Sequence, residues 1–399
     1  MNNPIRRFPE FSEKWNYSYI KDEFVMSSGQ TPSTSNPKYF ENGYINWINS
    51  GELTSKYIGS TSNKITDLAK KDCHLKEYDE GTFVMAIYGL EADGVRGKCS
   101  ILKEKATISQ SCMALEERGN IKSEFFYYYY QYKSNEICLK IAQGTKQQNL
   151  NSNLLGNVKI PKCDVNEQSK IIKLFSKIDN LIESAKDERD TLLNEKKSFA
   201  KSFFEQKIKY EGETTPHKLK DALIEYNEKW VNDGKYEHVS LTKEGVIPKT
   251  DRYDRDALVV DEEKQYKITH INDICYNPAN LKFGVIARNK YKDAIFSPIY
   301  VTFKVNEEIA MPEFIEFFVT RPDFYKKALK YQQGTVYERM AVSPEDLLKM
   351  EIKLPSLNEQ KKIVNILSSY SSLIEIKQKQ LDTLKNIKKG FLQQMFPKD

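Results

Sequence analysis

The sequence predicts an α+β protein in which two related mixed α/β domains are separated by two long helices. Residues 166–204 and 358–396 share 17 identical positions out of 39 when the chain is shifted by 192 residues without a gap. A repeat of this length indicates two similar halves rather than the short units of a solenoid. The predicted segments are a first domain (1–165), a first long helix (166–209), a second domain (210–357) and a second long helix (358–399).

The composition is that of a folded protein with a mildly basic charge. The 399 residues are 39% hydrophobic and 29% charged, and the formal net charge of +5 is compatible with a nucleic-acid partner without requiring one. No apolar run reaches the ~18 residues of a membrane helix, and the N-terminus lacks the apolar stretch of a signal peptide. We therefore expect a cytoplasmic protein. Its six cysteines are far apart, which favours buried thiols over disulfides or a zinc site.

Each long helix begins after a recognisable start signal. A proline, Pro161 or Pro355, comes shortly before an asparagine, Asn166 or Asn358. Asparagine is a favoured N-cap residue because its side chain can accept a hydrogen bond from the first free N–H groups. We therefore expect both asparagines to cap their helices.

The apolar positions of both helices step alternately by four and three residues, which is the period of a left-handed coiled coil. Lys196 and Lys388 interrupt this seam at the same repeat position. A helix of about 40 residues is roughly 60 Å long, and its apolar stripe needs a partner. The nearest partner is the other copy, in an antiparallel intramolecular coiled coil with a pseudo-twofold axis that places Ile171 near Met395. The alternative is two separate helices that each pack on their own domain. The predicted helix–helix interface residues are Ile171, Phe175, Ile178, Ile182, Leu192, Phe199, Phe203, Ile363, Leu367, Tyr370, Ile374, Leu381, Leu384, Phe391 and Met395.

The two domains combine strand-like and helix-like segments. Residues 82–88 and 299–303 are rich in β-branched and aromatic residues, which is typical of strands. Residues 123–130 and 312–318 indicate helices. The first of these contains four consecutive tyrosines, residues 127–130, which could stack on bases. Consecutive helical residues point in different directions, so packing is the favoured interpretation.

Several of these features together resemble a known family. Each half contains a Gly-Thr pair, an Ile-Pro or Leu-Pro strand, an Asn-Glu-Gln motif and a long helix with Lys-Lys-x-Phe near its end. The chain thus resembles a type I restriction–modification specificity subunit over essentially its whole length. Residues 47–53 and 108–115 resemble the first target-recognition domain of that family. Residues 273–278 and 296–301 resemble a variant of the second domain.

The resemblance implies a sequence-specific DNA-binding subunit without catalytic, cofactor-binding or metal-binding residues of its own. Each target-recognition domain would read one half of a bipartite, asymmetric site in double-stranded DNA. The paired helices would set the gap between the halves and dock two methyltransferase (modification) subunits and the restriction/translocase subunits. S-adenosylmethionine, ATP and Mg²⁺ would belong to those partners, which methylate adenine or cut unmodified DNA.

The residues offer little support for an enzyme. The sequence contains neither a GxxxxGK[ST] phosphate loop nor an Asn/Asp-Pro-Pro-aromatic motif. Asp323, Glu351 and Lys353 superficially fit a nuclease pattern, but the last two fall in the repeated Ile-Lys-Leu-Pro segment. A self-contained methyltransferase or nuclease is therefore disfavoured. The main alternative is a coiled-coil protein–protein scaffold without DNA binding, which would lack the steep salt dependence of phosphate contacts.

Candidate DNA contacts lie in polar loops that combine phosphate-binding and base-reading side chains. The two Gly-Thr loops occupy the same repeat position, and we expect Thr145 and Thr335 to contact phosphate. The side chains that follow them are expected to set local selectivity. The predicted DNA-binding residues are Gln30, Thr31, Ser33, Tyr88, Arg96, Thr145, Lys146, Gln147, Gln148, Lys249, Arg252, Arg255, Asn277, Asn280, Lys282, Thr335, Tyr337 and Arg339.

Overall fold

The chain divides into two compact units, one formed by Met1–Lys186 with Lys379–Asp399 and the other by Asp187–Gln378. Each unit holds one mixed domain and a segment of both long helices. Among the described residues, no helix is long and apolar enough to cross a membrane. The computed structural model describes residues 3–92, 94–142, 144, 148–205, 207–208, 214–230, 235–249, 265–331 and 341–398.

The first unit interleaves short strands with helices, as predicted for a mixed α/β domain. The predicted strand at 82–88 and the predicted helix at 123–130 are both present. In chain order the elements are β1 (Asn16–Tyr19), α1 (Ile20–Glu23), β2 (Phe24–Ser28), β3 (Ile45–Ile48), β4 (Tyr57–Ile58), β5 (Lys64–Ile65), α2 (Asp67–Asp72), β6 (Phe83–Ala86), β7 (Cys99–Leu102), β8 (Thr107–Ile108), β9 (Cys112–Glu117), α3 (Ser123–Ile141), α4 (Ser152–Gly156), β10 (Lys159–Lys162) and α5 (Val165–Phe204), which continues into the second unit.

The largest sheet of the first unit has the strand order β2-β9-β6-β7-β4. The first four strands pair antiparallel, and β4 joins β7 in parallel. Because side chains alternate along a strand, β6 contributes to two cores. Phe83 and Met85 join the core that contains α3, whereas Val84 and Ala86 join a second core with Ile48. A three-stranded sheet, β5-β3-β8, and the pair β1-β10 also belong to this unit.

The second unit repeats the alternation of strands and helices. Its predicted strand at 299–303 is observed two residues later, and its predicted helix at 312–318 is present. In chain order the elements are β11 (Thr215–Lys218), α6 (Leu219–Ala222), β12 (Leu223–Tyr226), β13 (Glu237–Leu241), β14 (Val246–Pro248), β15 (Lys267–Thr269), β16 (Ile274–Tyr276), β17 (Ile286–Arg288), β18 (Ala294–Phe296), β19 (Val301–Val305), α7 (Pro312–Val319), α8 (Pro322–Ala328), α9 (Pro344–Leu348), β20 (Glu351–Leu354) and α10 (Leu357–Met395), whose last turns belong to the first unit.

The strand orders of the two units correspond. The sheet β12-β19-β16-β17 repeats the order β2-β9-β6-β7, and the pair β11-β20 repeats β1-β10. In the remaining sheet of three or four strands in each unit, β13 pairs with β18 in parallel, as β3 does with β8. The two domains therefore share a topology, although outside the helix copies their sequences have few residues in common.

The caps of the long helices differ from the prediction. α5 begins at Val165, and the carboxylate of Asp164 accepts a hydrogen bond from the N–H of Asn166 (2.8 Å). α10 begins at Leu357, and Ser356 Oγ accepts from the N–H of Glu359 (3.3 Å). Asn166 and Asn358 lie inside their helices and do not cap them. Both helices start one residue earlier than expected because a better-placed acceptor precedes each of them.

The glutamine of the Asn-Glu-Gln motif fixes each domain to the long helix that follows it. The amide of Gln168 donates to the carbonyls of Asn120 and Cys163 (3.0 Å each) and accepts from the N–H of Lys122 (3.0 Å), the residue before α3. Both Gln168 and Gln360 are completely buried. In the second unit, Gln360 makes the same three hydrogen bonds around the start of α7. The motif is therefore a structural joint.

Segments of the two long helices contact each other within each unit. In the first unit Lys388 Nζ lies 2.6 Å from Asp179 Oδ1, and the ring of Phe175 stacks on that of Phe396, the residue directly after α10, with centroids 6.3 Å apart. In the second unit Arg189 Nη1 donates to Gln378 Oε1 (2.8 Å), and Glu188 pairs with Lys377 (2.5 Å).

The direction of the segments follows from the order of such contacts. In the second unit Lys196, one heptad after Arg189, donates to Ser371 (2.7 Å), one heptad before Gln378. Residue numbers fall along α10 as they rise along α5, so the two segments of this unit run in opposite directions.

None of the fifteen predicted seam residues is fully exposed to solvent. Ile171 and Met395 belong to one hydrophobic cluster, as predicted, and Phe203 and Ile363 belong to another. Eight of the fifteen are buried: Ile171, Phe175, Ile178, Phe203, Ile363, Leu367, Leu381 and Met395. Seven are half-buried: Ile182, Leu192, Phe199, Tyr370, Ile374, Leu384 and Phe391.

Candidate nucleic-acid interface

One edge of the largest sheet in the first unit gathers several polar loops. Ser28, at the end of β2, pairs with Met113 of β9. Ala86, at the end of β6, pairs with Cys112, the first residue of β9. The loops after β2 and β6 and the loop before β9 therefore leave the sheet at the same edge. The loops after β2 and β6 carry the predicted residues Gln30, Thr31, Ser33, Tyr88 and Arg96, while Gln148 lies between α3 and α4.

The loop after β2 presents three predicted residues to solvent. Gln30, Thr31 and Ser33 are exposed, while the N–H of Gln30 donates to the carbonyl of Ile108 (3.2 Å). The preceding Gly29 has no room for a side chain, because a Cβ there would lie 2.0 Å from the same carbonyl. The close approach holds the loop against the end of β8, with its polar side chains exposed to solvent.

The loop after β6 lies beside the end of the Gly-Thr loop. Leu90 donates its N–H to the carbonyl of Gln148 (3.1 Å), and the N–H of Gln148 donates to the carboxylate of Glu91 (2.7 Å). Tyr88 is 38% exposed at this edge. Arg96 is half-buried, and its Nε donates to the carbonyl of Leu90 (2.6 Å). The guanidinium therefore holds the turn together.

The second unit has a corresponding edge. Tyr226, at the end of β12, pairs with Thr302, and Tyr276, at the end of β16, pairs with Val301. The loops after β12 and β16 and the loop before β19 thus leave the sheet at the same edge, as the corresponding loops do in the first unit. The predicted residues Asn280 and Lys282 are exposed in the loop after β16.

Two other predicted residues of the second unit occupy different environments. Asn277 is only 7% exposed, and its side-chain oxygen accepts the N–H of Ala279 (3.1 Å), which makes it part of the turn. Lys249 is half-buried and follows β14, in the other four-stranded sheet, β14-β13-β18-β15. The structure therefore does not gather Lys249 at the same sheet edge as Asn280 and Lys282.

The remaining predicted residues lie outside the described part of the chain. Shortly after these gaps, the N–H of Leu150 donates to the carbonyl of Ile87 (2.9 Å), and the N–H of Val342 donates to the carbonyl of Pro278 (3.2 Å). The described residues that follow each Gly-Thr segment therefore contact the turn after an equivalent strand, β6 or β16. The residues outside the described ranges are Thr145, Lys146, Gln147, Arg252, Arg255, Thr335, Tyr337 and Arg339.

Several residues at these edges were not among the candidates. Gln110 is exposed, and its N–H donates to Thr31 Oγ1 (3.3 Å). Phe283 and Ile299 are 55% and 59% exposed at the second edge, and Lys282 Nζ lies 5.1 Å from the Phe283 ring centroid. Apolar side chains can contact a thymine methyl group in the major groove. Sequence reasoning passed over them because exposed apolar residues resemble core residues until their positions are known.

Burial indicates a structural role for two other groups of residues, the four consecutive tyrosines and the cysteines. Tyr127 to Tyr130 are at most 7% exposed, so packing is confirmed and a base-stacking platform is excluded. Burial raises the pKa of Cys112 to about 11 and that of Cys99 to about 12, so both thiols stay protonated at neutral pH. The prediction of scattered core cysteines is confirmed, because five of the six are buried and all are free.

The three residues of the nuclease-like pattern line the same cleft. Asp323, Glu351 and Lys353 line one cleft of about 750 Å³ in the second unit, together with Arg321. Glu351 and Lys353 alternate with buried residues along β20, as a framework strand requires. Arg321 pairs with Asp323 (3.4 Å). In the part of the chain that the structure describes, no three His, Cys, Asp or Glu side chains are grouped so that they could hold a metal ion.

A family model described as the type I restriction modification DNA specificity domain matches the chain twice, over residues 12–195 and 196–386. The chain belongs to this family. Each match covers one domain and the greater part of the long helix that follows it. The resemblance inferred from the repeated motifs is thereby confirmed.

Individual relatives carry the same description. The MjaVIII specificity subunit of Methanocaldococcus jannaschii is 25% identical over 412 aligned positions, covering 95% of this chain and 91% of that protein. The MjaIX subunit of the same organism is 31% identical, but the match spans 45% of this chain and 41% of that protein. The EcoR124I/EcoR124II specificity subunit of Escherichia coli is 27% identical over 39% of each.

Solved structures support the fold. A type I restriction–modification S subunit from M. genitalium superposes with a TM-score of 0.63 over the full length of both chains, at 15% identity. A chain from a study of complex assembly and conformational transition of the type I system gives 0.54 at 13% identity, over 96% of this chain and 98% of that one. At these identities the likeness extends to the fold alone.

Proposed function

We propose that this chain is the DNA-reading subunit of a type I restriction–modification enzyme. Each unit reads one half of a bipartite, asymmetric site through the loops gathered at one edge of the sheet β2-β9-β6-β7-β4 or of the sheet β12-β19-β16-β17. The observation that carries this proposal is the double family match, one for each domain, combined with the recurrence of that loop-bearing edge in both units. Half-sites read from one face of a duplex would lie about one helical turn, roughly 34 Å, apart.

The long helices are proposed to form one antiparallel intramolecular coiled coil with a pseudo-twofold axis, which sets the gap between the half-sites. Three features support this arrangement: the 3.5-residue period, the burial of the seam residues and the opposite direction of the segments in the second unit. A rigid spacer is what a reader of two separated half-sites requires, since the binding free energies combine only if both contacts can form together.

The chemistry is proposed to reside in partner subunits. Two methyltransferase subunits would supply S-adenosylmethionine, and restriction/translocase subunits would supply ATP and Mg²⁺, so that this chain itself is not catalytic. An exposed apolar stripe on α10, formed by Ile366, Leu373 and Ile376 (42%, 46% and 59% exposed), supports docking of a partner helix. Their spacing of seven and three residues is that of a coiled-coil contact.

The decisive experiment maps adenine methylation in a host that expresses this chain with its methyltransferase subunit. The expected result is one bipartite motif with two different halves and a single gap length. Purified subunit complex should bind a duplex carrying that motif with an affinity that falls about 10³- to 10⁵-fold between 50 and 200 mM salt, if six to ten phosphates are contacted.

The competing function, a protein–protein scaffold, makes the opposite prediction. Such a protein would bind its protein partners but would show no affinity for DNA that falls steeply with salt concentration. Methylation would then not follow a two-part motif. A host whose methylation pattern is the same with and without this chain would exclude the DNA-reading role.

A further inference from the structure

Two lysines interrupt the apolar seam at positions 192 residues apart, Lys196 in α5 and Lys388 in α10. A charged side chain at a seam position costs stability, and a polar residue there can serve to fix helix register. Neither lysine points freely into solvent. Each makes the same pair of contacts inside its own unit, and each pair joins both long helices to the domain.

In the first unit, Lys388 lies between α5 and α3. Its Nζ is 2.6 Å from Asp179 Oδ1 on α5 and 5.5 Å from the ring centroid of Tyr128 on α3. The buried Tyr128 donates its hydroxyl to the other carboxylate oxygen of Asp179 (2.8 Å). One ion pair, one cation–π contact and one hydrogen bond therefore connect α10, α5 and the domain.

In the second unit, Lys196 has the corresponding position. Its Nζ donates to Ser371 Oγ on α10 (2.7 Å) and lies 5.2 Å from the ring centroid of Phe317 on α7. Ser371 is the repeat partner of Asp179, again 192 residues on. Phe317 is the sixth residue of α7, as Tyr128 is of α3. The contact has thus been kept in both units although its partners have changed.

A second cation, supplied by the domain, repeats as well. Lys56, 10% exposed, donates to Tyr128 (3.0 Å) and lies 3.6 Å from the carboxylate of Glu124. In the second unit, Arg288, 14% exposed, pairs with Glu313 (3.0 Å). Glu124 and Glu313 are each the second residue of their helix. The domain helix is therefore held by a cation from the domain and by another from the long helices.

We propose that Lys196 and Lys388 are positioning residues that fix the register of the long helices and the orientation of each domain on them. Their loss relaxes the gap length that the protein accepts between half-sites. This inference rests on the proposed function, since a gap exists only if the two units read separate half-sites. Apolar packing along a seam tolerates small shifts and rotations of one helix against the other, whereas a charged group with a partner in one place does not.

The test uses the full chain assembled with its methyltransferase subunit, because both lysines act through that geometry. Lys196→Met and Lys388→Met keep the length of the side chain and remove the charge. Lys197→Met and Lys389→Met are matched controls, since these neighbours are exposed on the same helices. Adenine methylation is then mapped over sites that keep both half-sequences but differ in gap by one base pair.

We compare methylation at sites whose gap is one base pair longer or shorter with methylation at the native gap. This ratio is expected to be about tenfold higher in the double variant K196M/K388M than in the wild type. A tenfold change corresponds to about 1.4 kcal/mol of lost discrimination. The controls should keep the single gap, and the charge-preserving K196R/K388R should restore most of the strictness. A double variant as strict as the wild type overturns the positioning role.

The remaining outcomes are also informative. K196M alone leaves only the neutral Ser371 without its donor, so it tests the idea in a variant with no unpaired buried charge. If the double variant methylates nothing, binding of the assembled complex to duplexes of graded gap length decides: an unchanged preference overturns the proposal. A wild type that methylates no bipartite site overturns the proposed function instead, whatever the lysines do.

Discussion

Single side chains decide how each domain meets its long helix. Gln168 and Gln360 are completely buried, yet each satisfies two backbone carbonyls and one N–H. The amide suits this task because it combines two donors with an acceptor on one rigid plane. The motif that the repeat makes conspicuous is thus explained by structure, and its position in both halves marks equivalent joints.

Replacing Gln360 by alanine should destabilise the second unit by about 2–4 kcal/mol, because three hydrogen bonds are lost and the backbone groups they satisfied stay buried. Gln393→Ala is the matched control, since Gln393 is exposed on the same helix. Chemical denaturation measures both. Equal midpoints for the two variants would contradict a structural role of the motif.

His270 couples the stability of the second unit to pH. Its Nε2 lies 2.9 Å from Glu228 and its Nδ1 lies 3.0 Å from Asp293. Burial acts to lower the pKa of His270, but the hydrogen bonds to the two carboxylates outweigh it and raise the pKa above its usual 6.5. The resulting stabilisation is complete below that usual value and disappears as pH rises through the raised pKa.

His270→Gln should therefore lower the thermal midpoint more at about pH 6 than at an alkaline pH above the raised pKa, where the wild-type imidazole is neutral. His74→Gln, at an exposed position in the first unit, is the control. A midpoint difference between wild type and H270Q that does not change with pH would show that the charged imidazole contributes nothing.

At the scale of elements, α10 has two apolar faces. One is the seam, with Ile363 and Leu367 buried, and the other is the exposed stripe of Ile366, Leu373 and Ile376. A helix that packs against its neighbours on a single side does not need a second apolar face. The stripe is therefore the part of α10 that we expect a methyltransferase subunit to cover.

The double substitution Leu373→Glu/Ile376→Glu should weaken association with the methyltransferase subunit at least tenfold, since two charges would be buried on docking. Ser372→Glu adds charge at a neighbouring exposed position and should have little effect. Size-exclusion chromatography or calorimetry of the mixed subunits measures the change. Unaltered association of the double variant would place the partner elsewhere.

At the scale of the whole molecule, the length of the long helices should translate into DNA spacing. Inserting seven residues into both α5 and α10 keeps the seam in phase and lengthens the rod by about 10.5 Å. At 3.4 Å per base pair, the preferred gap should widen by about three base pairs.

Methylation mapping of the insertion variant measures the gap directly. The half-sequences themselves should not change, because the loops that read them are untouched. A variant with fourteen residues inserted should widen the gap by about six base pairs if the relation is linear. A gap that stays at the wild-type length in an active variant would exclude the helices as a ruler.

The repeat, together with the strand-like and helix-like segments between its copies, was sufficient to predict the α+β class, two related domains, the two long helices and the family. Hydrophobic periodicity can be recognised within a short segment of sequence. A heptad pattern therefore indicates that a helix packs against another helix, whichever other elements the fold contains. Cap residues were predicted less well, since several acceptors precede each helix and the geometry of the turn chooses between them.

Only the tertiary structure decided which polar residues share a surface. It gathered Gln30, Tyr88 and Gln148 at one sheet edge, turned Arg96 inward and buried Asn277, because strand pairing joins loops that are far apart in the chain. It also showed what the seam lysines contact. Such contacts depend on pairings between distant residues, which no local pattern in a single sequence records.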